Sequence, residues 1–458
     1  MPQFHILSFE GPDAYSAAGG LASRVTGLTA GLAALGFDTH LWFVGDPTLP
    51  GCETDGQLHL HRWCQWISHY HRGGVYDGEE GKHSDFASSL PPCLVREFLL
   101  PNVQAGNGDT IVLAEEWQTV DAVLHVDWLL RRAGVRDQVT IFWNANNVCG
   151  FERIDWPRLA AAAVITTVSR YMRHRMWSLG VDPLVIPNGL EAAALAAPDR
   201  SATAVFRNRL AGRVVLSKIA RWDPDKRWFL AIDTIRELKR QGVRPLLIAR
   251  GGIEAHGAEV LARASAAGLR VLERVGAQPG TRGLLESLRG LENIDIVSLR
   301  TYVGPEPRRV LFRAADAVLA NSGHEPFGLV GLEAMGAGGL ACTGSTGEDY
   351  AVPGWNALVL QRNDPEEFVN LFLRLQRHPA EQRAIRHHGR VTAQQYAWTQ
   401  VICRNLLPNL PPGRALTRPH EAGGEMQADG FGWPSAQALS ARAAVRSRTP
   451  TVLPPAVG

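Results

Sequence analysis

Short apolar runs of strand length alternate with helical periodicities as far as about residue 400, and that rhythm constrains the fold more than any single residue. Residues 4–9 read as a strand. The segment that follows places Leu21, Val25, Leu28, Leu32 and Leu35 at spacings of 4, 3, 4 and 3, which is one helical face, with Gly36 as its stop. Further strand candidates lie at 38–44, 110–114, 138–143, 163–168 and 184–186. The pattern restarts near residue 213, with a strand at 213–219, an amphipathic helix over 226–240 and strands at 246–249, 294–298, 317–320 and 340–343. Strands that alternate with helices predict parallel sheets with helices on both faces. The restart predicts two α/β domains of similar size with a cleft between them. The Ala-rich stretch 191–210, which contains Pro198, reads as the linker.

Two stretches break the rhythm. Residues 45–105 are rich in His, Gly and aromatic side chains and read as an insertion or substrate-side loop. Residues 408–458 hold eight of the 28 prolines in 51 positions, which predicts a disordered tail. Charge narrows the class of partner. Lys+Arg 47 against Asp+Glu 45 leaves a net charge of +2, so a mainly electrostatic nucleic-acid binder is disfavoured. No apolar run is long enough for a spanning helix, and the N-terminal residues do not read as a signal peptide. The six cysteines form no CxxC pair, and a chain of this size needs no disulfide staples. Reduced thiols and a cytoplasmic location are expected.

Four motifs carry chemistry. In Glu325-Pro326-Phe327-Gly328-Leu329-Val330-Gly331-Leu332-Glu333, two carboxylates lie eight residues apart across a loop-to-helix junction that follows a strand. A helix starting near Gly328 would aim its free N–H groups and positive dipole end at an anion. Glu325 and Glu333 are then placed to accept hydrogen bonds from sugar hydroxyls; the alternative is an ordinary helix start with acidic residues. Arg221-Trp222-Asp223-Pro224-Asp225-Lys226 follows a strand and opens a helix, so two cations can converge where α/β sheets bind ligands. They equally suit a pair of surface cations. Gly19-Gly20-Leu21, between the first strand and first helix, allows close backbone approach to an anion, although a plain turn explains it as well. Thr343-Gly344-Ser345-Thr346-Gly347 is a loop whose amides can form an anion nest.

Together these motifs resemble the retaining glycosyltransferases of the GT-B fold, group 1 or family 4, with some likeness to the glycogen and starch synthases of family 5. Glu325 to Glu333 matches the E-x7-E signature, and Arg221 and Lys226 match the Arg and Lys around a D-P turn. Gly19-Gly20-Leu21 matches the N-terminal glycine loop, Ile186-Pro187-Asn188-Gly189 the IPNG segment, and Glu116-Trp117-Gln118-Thr119 resembles the D-W-Q-T segment. The resemblance covers about residues 4–400. It implies Rossmann-like domains at 1–195 (acceptor side) and 196–385 (nucleotide-sugar side), a crossover helix at 386–407, and the tail beyond.

The resemblance also implies roles. Arg221 and Lys226 would hold the donor diphosphate and stabilise it as it leaves. Glu325 would contact the donor sugar, and Glu333 the ribose. Phe327, Gly328 and Leu329 would offer backbone N–H groups. Gly19 and Gly20 would face the diphosphate from the other domain, and Thr346 and Gly347 would form a second phosphate-contacting loop. Two departures stand out. Ala17 replaces the Lys that glycogen synthases carry two residues before Gly-Gly, which weakens the polymer-synthase reading. The family's His after an N-terminal strand is missing from Phe142-Trp143-Asn144-Ala145-Asn146-Asn147, where Asn144 or Asn146 supplies the polar contact. His324, beside Glu325, is a further candidate contact or a structural residue. Trp222 and Trp228 read as packing residues.

The implied function is transfer of a hexose from a nucleotide diphosphate sugar to an unidentified carbohydrate or small-molecule acceptor, with no cofactor and no metal. Alternatives are a glucan synthase, a GT-B sugar phosphorylase, or a non-catalytic sugar-nucleotide or glycan-binding module. His59, His61, Cys64, His69 and His71 fall within 13 residues, followed by His83, a spacing that can hold zinc. The family uses no such site, and the reading adopted is acceptor-facing or surface histidines. The base, the sugar, the acceptor and the oligomeric state are not legible.

Overall fold

In the computed structural model, which describes residues 2–275, 278–344 and 347–410, the chain builds two sheets. The first contains β1 (Gln3–Leu7), β2 (Asp38–Val44), β3 (Cys52–Asp55), β4 (Leu58–Trp63), β5 (Thr110–Glu115), β6 (Val139–Ala145), β7 (Val164–Thr167) and β8 (Leu184–Val185). Their order is β3-β4-β2-β1-β5-β6-β7-β8, with every pairing parallel except the β3–β4 hairpin. The second contains β9 (Val214–Ile219), β10 (Pro245–Arg250), β11 (Val271–Arg274), β12 (Ile296–Leu299), β13 (Ala317–Ala320), β14 (Ala341–Thr343) and β15 (Leu358–Val359). Its order is β11-β12-β10-β9-β13-β14-β15, parallel throughout.

The side-chain period of two explains the layers. In β2, Leu41 and Phe43 enter one apolar cluster while Trp42 and Val44 enter another, and β5 splits Ile111 and Leu113 from Val112 and Ala114 in the same way. Both faces are therefore buried under helices, as expected for a parallel sheet. The helix Gly20–Ala34 buries Leu21, Val25, Leu28 and Leu32, the stripe its spacing predicts.

One reading of organisation is corrected. Residues 45–105 are not a loop: they hold the β3–β4 hairpin, the helix Glu79–Leu94 and its continuation through Leu100–Ala105. Strand β4 pairs in parallel with β2, so this stretch is a sheet-extending unit. Short strands and the helical Pro91-Pro92 pair blur the local signal. Residues 191–210 lie between β8 of the first sheet and β9 of the second and form the helices Ala192–Leu195 and Arg200–Arg209, the latter capped by Asp199 through Ala202 N. Aspartate at an N-cap satisfies one of the orphan N–H groups.

The segment after the helix Pro379–Gln395 returns to the first domain. There Trp398 and Ile402 lie in the apolar cluster of the helix Gly20–Ala34. Gly27 and Gly31 permit this, because a Cβ at either position would overlap Trp398 or Ile402. Residues 411–458, which include nearly all of the predicted tail, lie outside the described residues. Among the described residues no helix is long and apolar enough to cross a membrane.

Candidate active site

The carboxyl ends of both sheets open onto one cleft of about 760 Å³. Ligands collect there in α/β folds because loops and helix N-termini converge beyond the strand ends. The second-domain wall carries the cations. β9 ends at Ile219, and Arg221 projects from the loop that follows; its carbonyl is fixed by the Trp228 indole N–H at 2.7 Å. Lys226 ends the turn Pro224–Lys226 and pairs with Glu325 across 99 residues of sequence. Gly328 adopts φ +82°, which an L side chain rarely tolerates, and this turns the chain into the helix Leu329–Gly336. Phe327, Gly328 and Leu329 line the cleft at that helix start. Trp222 and Trp228 are buried 4.1 Å apart beneath this wall and are packing residues.

Lys218, which sequence reasoning missed, also lines this wall. It sits on β9 beneath Arg221, donates to Leu319 O at 3.1 Å and to Asn321 Oδ1 at 3.0 Å, and burial brings its ammonium down to about 7. Desolvation disfavours the charged form and outweighs the attraction of Glu325. Its position inside a strand gives no loop-motif signal.

The first-domain wall is acidic and amide-rich. Glu10, just past β1, accepts from Gly19 N at 2.9 Å, Ala22 N at 3.0 Å and the Tyr76 hydroxyl at 2.6 Å. This carboxylate caps the glycine-opened helix and takes the N–H groups of Gly19 and Ala22. Gly19 and Gly20 both stay exposed and line the cleft. Glu10 lies outside every motif, so only the fold reveals it.

Glu116 follows β5 with φ +70°, an uncommon conformation for a side chain other than glycine. Its Oε1 accepts from Asn146 N at 2.7 Å and Asn147 N at 3.2 Å. Those bonds favour the carboxylate, but burial outweighs them and pushes the carboxyl up to about 8. Its neighbour Glu115 points away from the cleft and holds Arg24 at 3.0 Å, Asn144 at 2.8 Å and Asn146 at 2.7 Å. Arg24 in turn donates to Asn188 Oδ1 at 2.9 Å, so the IPNG segment is tied to the first helix.

The two asparagines are thereby told apart. Asn146 lines the cleft, whereas Asn144 is 1% exposed and bonded to Glu115 and Thr166, which makes it a core residue and corrects its candidacy. His324 is also corrected: its side chain is 72% exposed, beside Asp225, and is not part of the cleft lining. Glu333 pairs with Arg308 at 3.2 Å behind the helix start and does not line the cleft, while burial raises its carboxyl pKa. Gly347 is buried, accepting from Tyr350 N and Ala351 N, and is not among the cleft-lining residues. Thr346 lies outside the described residues. The histidine segment disperses. His59 and His61 lie on β4, Cys64 is buried against Lys82 O, and His71 faces Asp77.

Residues 220–378 match the family described as Glycosyl transferases group 1. No curated protein matches the chain. Among solved structures, the sucrose-phosphate synthase of Thermosynechococcus elongatus aligns with TM-score 0.59 and 18% identity over 88% of this chain and 96% of its own. The catalytic domain of starch synthase IV from Arabidopsis thaliana, bound to ADP and acarbose, aligns with TM-score 0.59 and 14% identity over 88% and 99%. HepE of Anabaena in complex with UDP aligns with TM-score 0.54 and 15% identity over 88% and 98%. Identities this low speak for the fold; the family match speaks for the second domain.

Proposed function

We propose that this chain, a glycosyltransferase of the GT-B fold with its group 1 domain at residues 220–378, transfers a hexose from a nucleotide diphosphate sugar with retention of anomeric configuration. The observation that supports this reading is the meeting of Arg221, Lys226 and Glu325 at the carboxyl end of the second sheet, on one wall of the cleft. A diphosphate leaving group gains negative charge as the glycosidic bond breaks. Lys226, held by Glu325, receives that charge without reorganising, and Arg221, whose guanidinium has no ion-pair partner among the described residues, is available to join it. Glu325 holds Lys226 and presents its second oxygen to the sugar hydroxyls.

The acceptor belongs on the opposite wall, where Asn146 and the neutral Glu116 carboxyl offer hydrogen bonds to sugar hydroxyls. The departing phosphate oxygen would take the acceptor proton on the same face, so no covalent nucleophile and no cofactor or metal ion is invoked. The six free thiols suit the reducing cytoplasm, where we place the protein.

A thermal-shift panel of UDP-, ADP-, GDP- and dTDP-sugars tests the reading, because a ligand of the native state raises its melting temperature. The uridine class comes first, since HepE binds UDP. A shift for one class that Arg221→Ala abolishes, followed by an axial or equatorial assignment of the product linkage, would establish donor and stereochemistry. An inverted linkage, or phosphate-dependent breakdown in place of synthesis, would defeat the proposal.

A further inference from the structure

At the end of the first sheet away from the cleft, one face carries an unusual row of side chains. The register pairs Gln3 with Asp38, His5 with His40, His40 with His59 and Trp42 with His61. With a period of two, Gln3 and His5 on β1, Asp38, His40 and Trp42 on β2, and His59 and His61 on β4 all point to the same side. The hairpin adds Thr54 opposite His59 and Cys52 opposite His61. Phe98 packs edge-on against His5, His40, Trp42 and His61 and covers the inner part of the row. Asp38 and His59 stay reachable, with side chains 38% and 28% exposed.

The hydrogen bonds assign protons along this row. Trp42 Nε1–H donates to His5 Nδ1 at 3.3 Å, so His5 carries its proton on Nε2 and gives it to Gln3 Oε1 at 3.0 Å. The Gln3 amide nitrogen then donates to Asp38 Oδ2 at 2.7 Å. The same nitrogen lies 3.4 Å from His40 Nε2, and His40 Nδ1 shares a proton with His61 Nε2 at 3.0 Å. Asp38 Oδ1 is left facing His40 Nε2 at 3.3 Å and His59 Nε2 at 3.1 Å. A proton makes either contact attractive one at a time, whereas one metal cation can bind the carboxylate oxygen and both imidazole nitrogens at once.

We infer that Asp38, His40 and His59 form a binding site for a divalent transition metal, zinc(II) by ligand type, which joins β4 to β2. The three donor atoms lie within 4.8 Å of one another. Four ligands at about 2.0–2.1 Å in a tetrahedron stand roughly 3.3 Å apart, close to the two carboxylate–imidazole separations. Two imidazoles and a carboxylate suit zinc and its neighbours, not magnesium or calcium. Each ligand also has an outer partner: Gln3 for Asp38, His61 for His40, and Thr54 Oγ1, 3.0 Å from His59 Nδ1, for His59. Such partners orient metal ligands in general. The fourth position is open to water. The site is structural and separate from the transfer reaction, because its ligands sit in the amino-terminal halves of β2 and β4, whereas the cleft is lined by residues beyond the carboxyl ends of β1, β5 and β6 in the same parallel set.

The test is equilibrium dialysis of the untagged full-length chain against zinc(II), with cobalt(II) visible absorption to read coordination number and ligand type. One ion per chain is expected, with cobalt bands of a four- or five-coordinate nitrogen–oxygen site. His59→Gln, at a half-exposed position, and Asp38→Asn are each expected to weaken binding by at least ~10-fold, and Gln3→Leu by about 10-fold. His71→Gln is expected to change nothing. Far-UV circular dichroism of each variant reports folding independently. The inference is overturned by failure of the folded wild type to bind zinc, by full binding in His59→Gln, or by loss of binding in His71→Gln.

Discussion

The two walls of the cleft face the same space but are built on opposite electrostatic principles. The second-domain wall presents Arg221 and Lys226 around a helix start, with Lys218 buried beneath them, whereas the first-domain wall presents Glu10, Glu79 and the neutral Glu116 carboxyl with backbone and side-chain amides. A cationic wall retains a diphosphate. An acidic and amide wall repels it and receives neutral hydroxyl groups, so the contrast orients a donor and an acceptor before either makes a specific contact. The glycine loop sharpens the lesson. It has the sequence of an anion site, yet Glu10 takes its Gly19 and Ala22 N–H groups and leaves Gly20 open on the wall.

The largest effect that tests this contrast is Lys226→Ala, expected to lower kcat/KM about 100- to 1000-fold, the range for removing one preorganised charge-stabilising donor. The unfolding midpoint should stay near wild type, since the lysine pairs at the cleft and not in the core; unfolding of the variant would recast Lys226 as a structural residue. Next is Gly20→Ala. Nothing lies within 4 Å of the added methyl, so the fold should persist. A donor KM raised roughly 10-fold would place the donor against this backbone, by loss of about 1.4 kcal/mol of binding; unchanged kinetics would assign the donor to the second-domain wall alone.

The asparagine pair gives a smaller and more discriminating result. Asn146→Ala should raise the acceptor KM several-fold with little loss of stability. Asn144→Ala should cost about 1–3 kcal/mol of stability by leaving buried partners unsatisfied. The reverse pattern, read by denaturant melts and acceptor titrations, would exchange their roles.

The last comparison is in the pH dependence of stability, where the two walls should respond with opposite sign. Glu116 has its folded-state pKa raised from 4.5 to about 8. Its contribution is fully present below the unfolded value and is lost as pH rises through about 8, because the unfolded chain releases this proton first. Lys218 is lowered from 10.5 to about 7, so its contribution is present above the unfolded value and lost as pH falls through about 7. Glu116→Gln should flatten the decline on the first arm and Lys218→Met the rise on the second, in urea melts run across pH 5–10. A slope that neither variant alters would mean that both groups are better solvated than their burial implies.

Alternating strands and helices, the restart near residue 213 and the E-x7-E and Arg/Lys motifs are local signals, and they determined the fold class and the cationic wall. Strand hydrophobicity and loop-to-helix turns act over a few residues, so they can be read in order along the chain. Region 45–105 was harder, because β3 and β4 are short and gain stability only by pairing with each other and with β2. Both Asn144 and Asn146 reach Glu115, and the choice between them followed from which is enclosed within β6 against Thr166 and which lies beyond the strand end at the cleft. Glu10, Lys218 and the Asp38-His40-His59 group have no spacing signature. Strand register alone places Asp38 and His40 beside His59, about twenty positions away in sequence. The sequence by itself determined which elements form and which ends carry charge. Tertiary structure decided which side chains meet, because side-chain direction in a sheet depends on pairing between strands that do not adjoin in sequence.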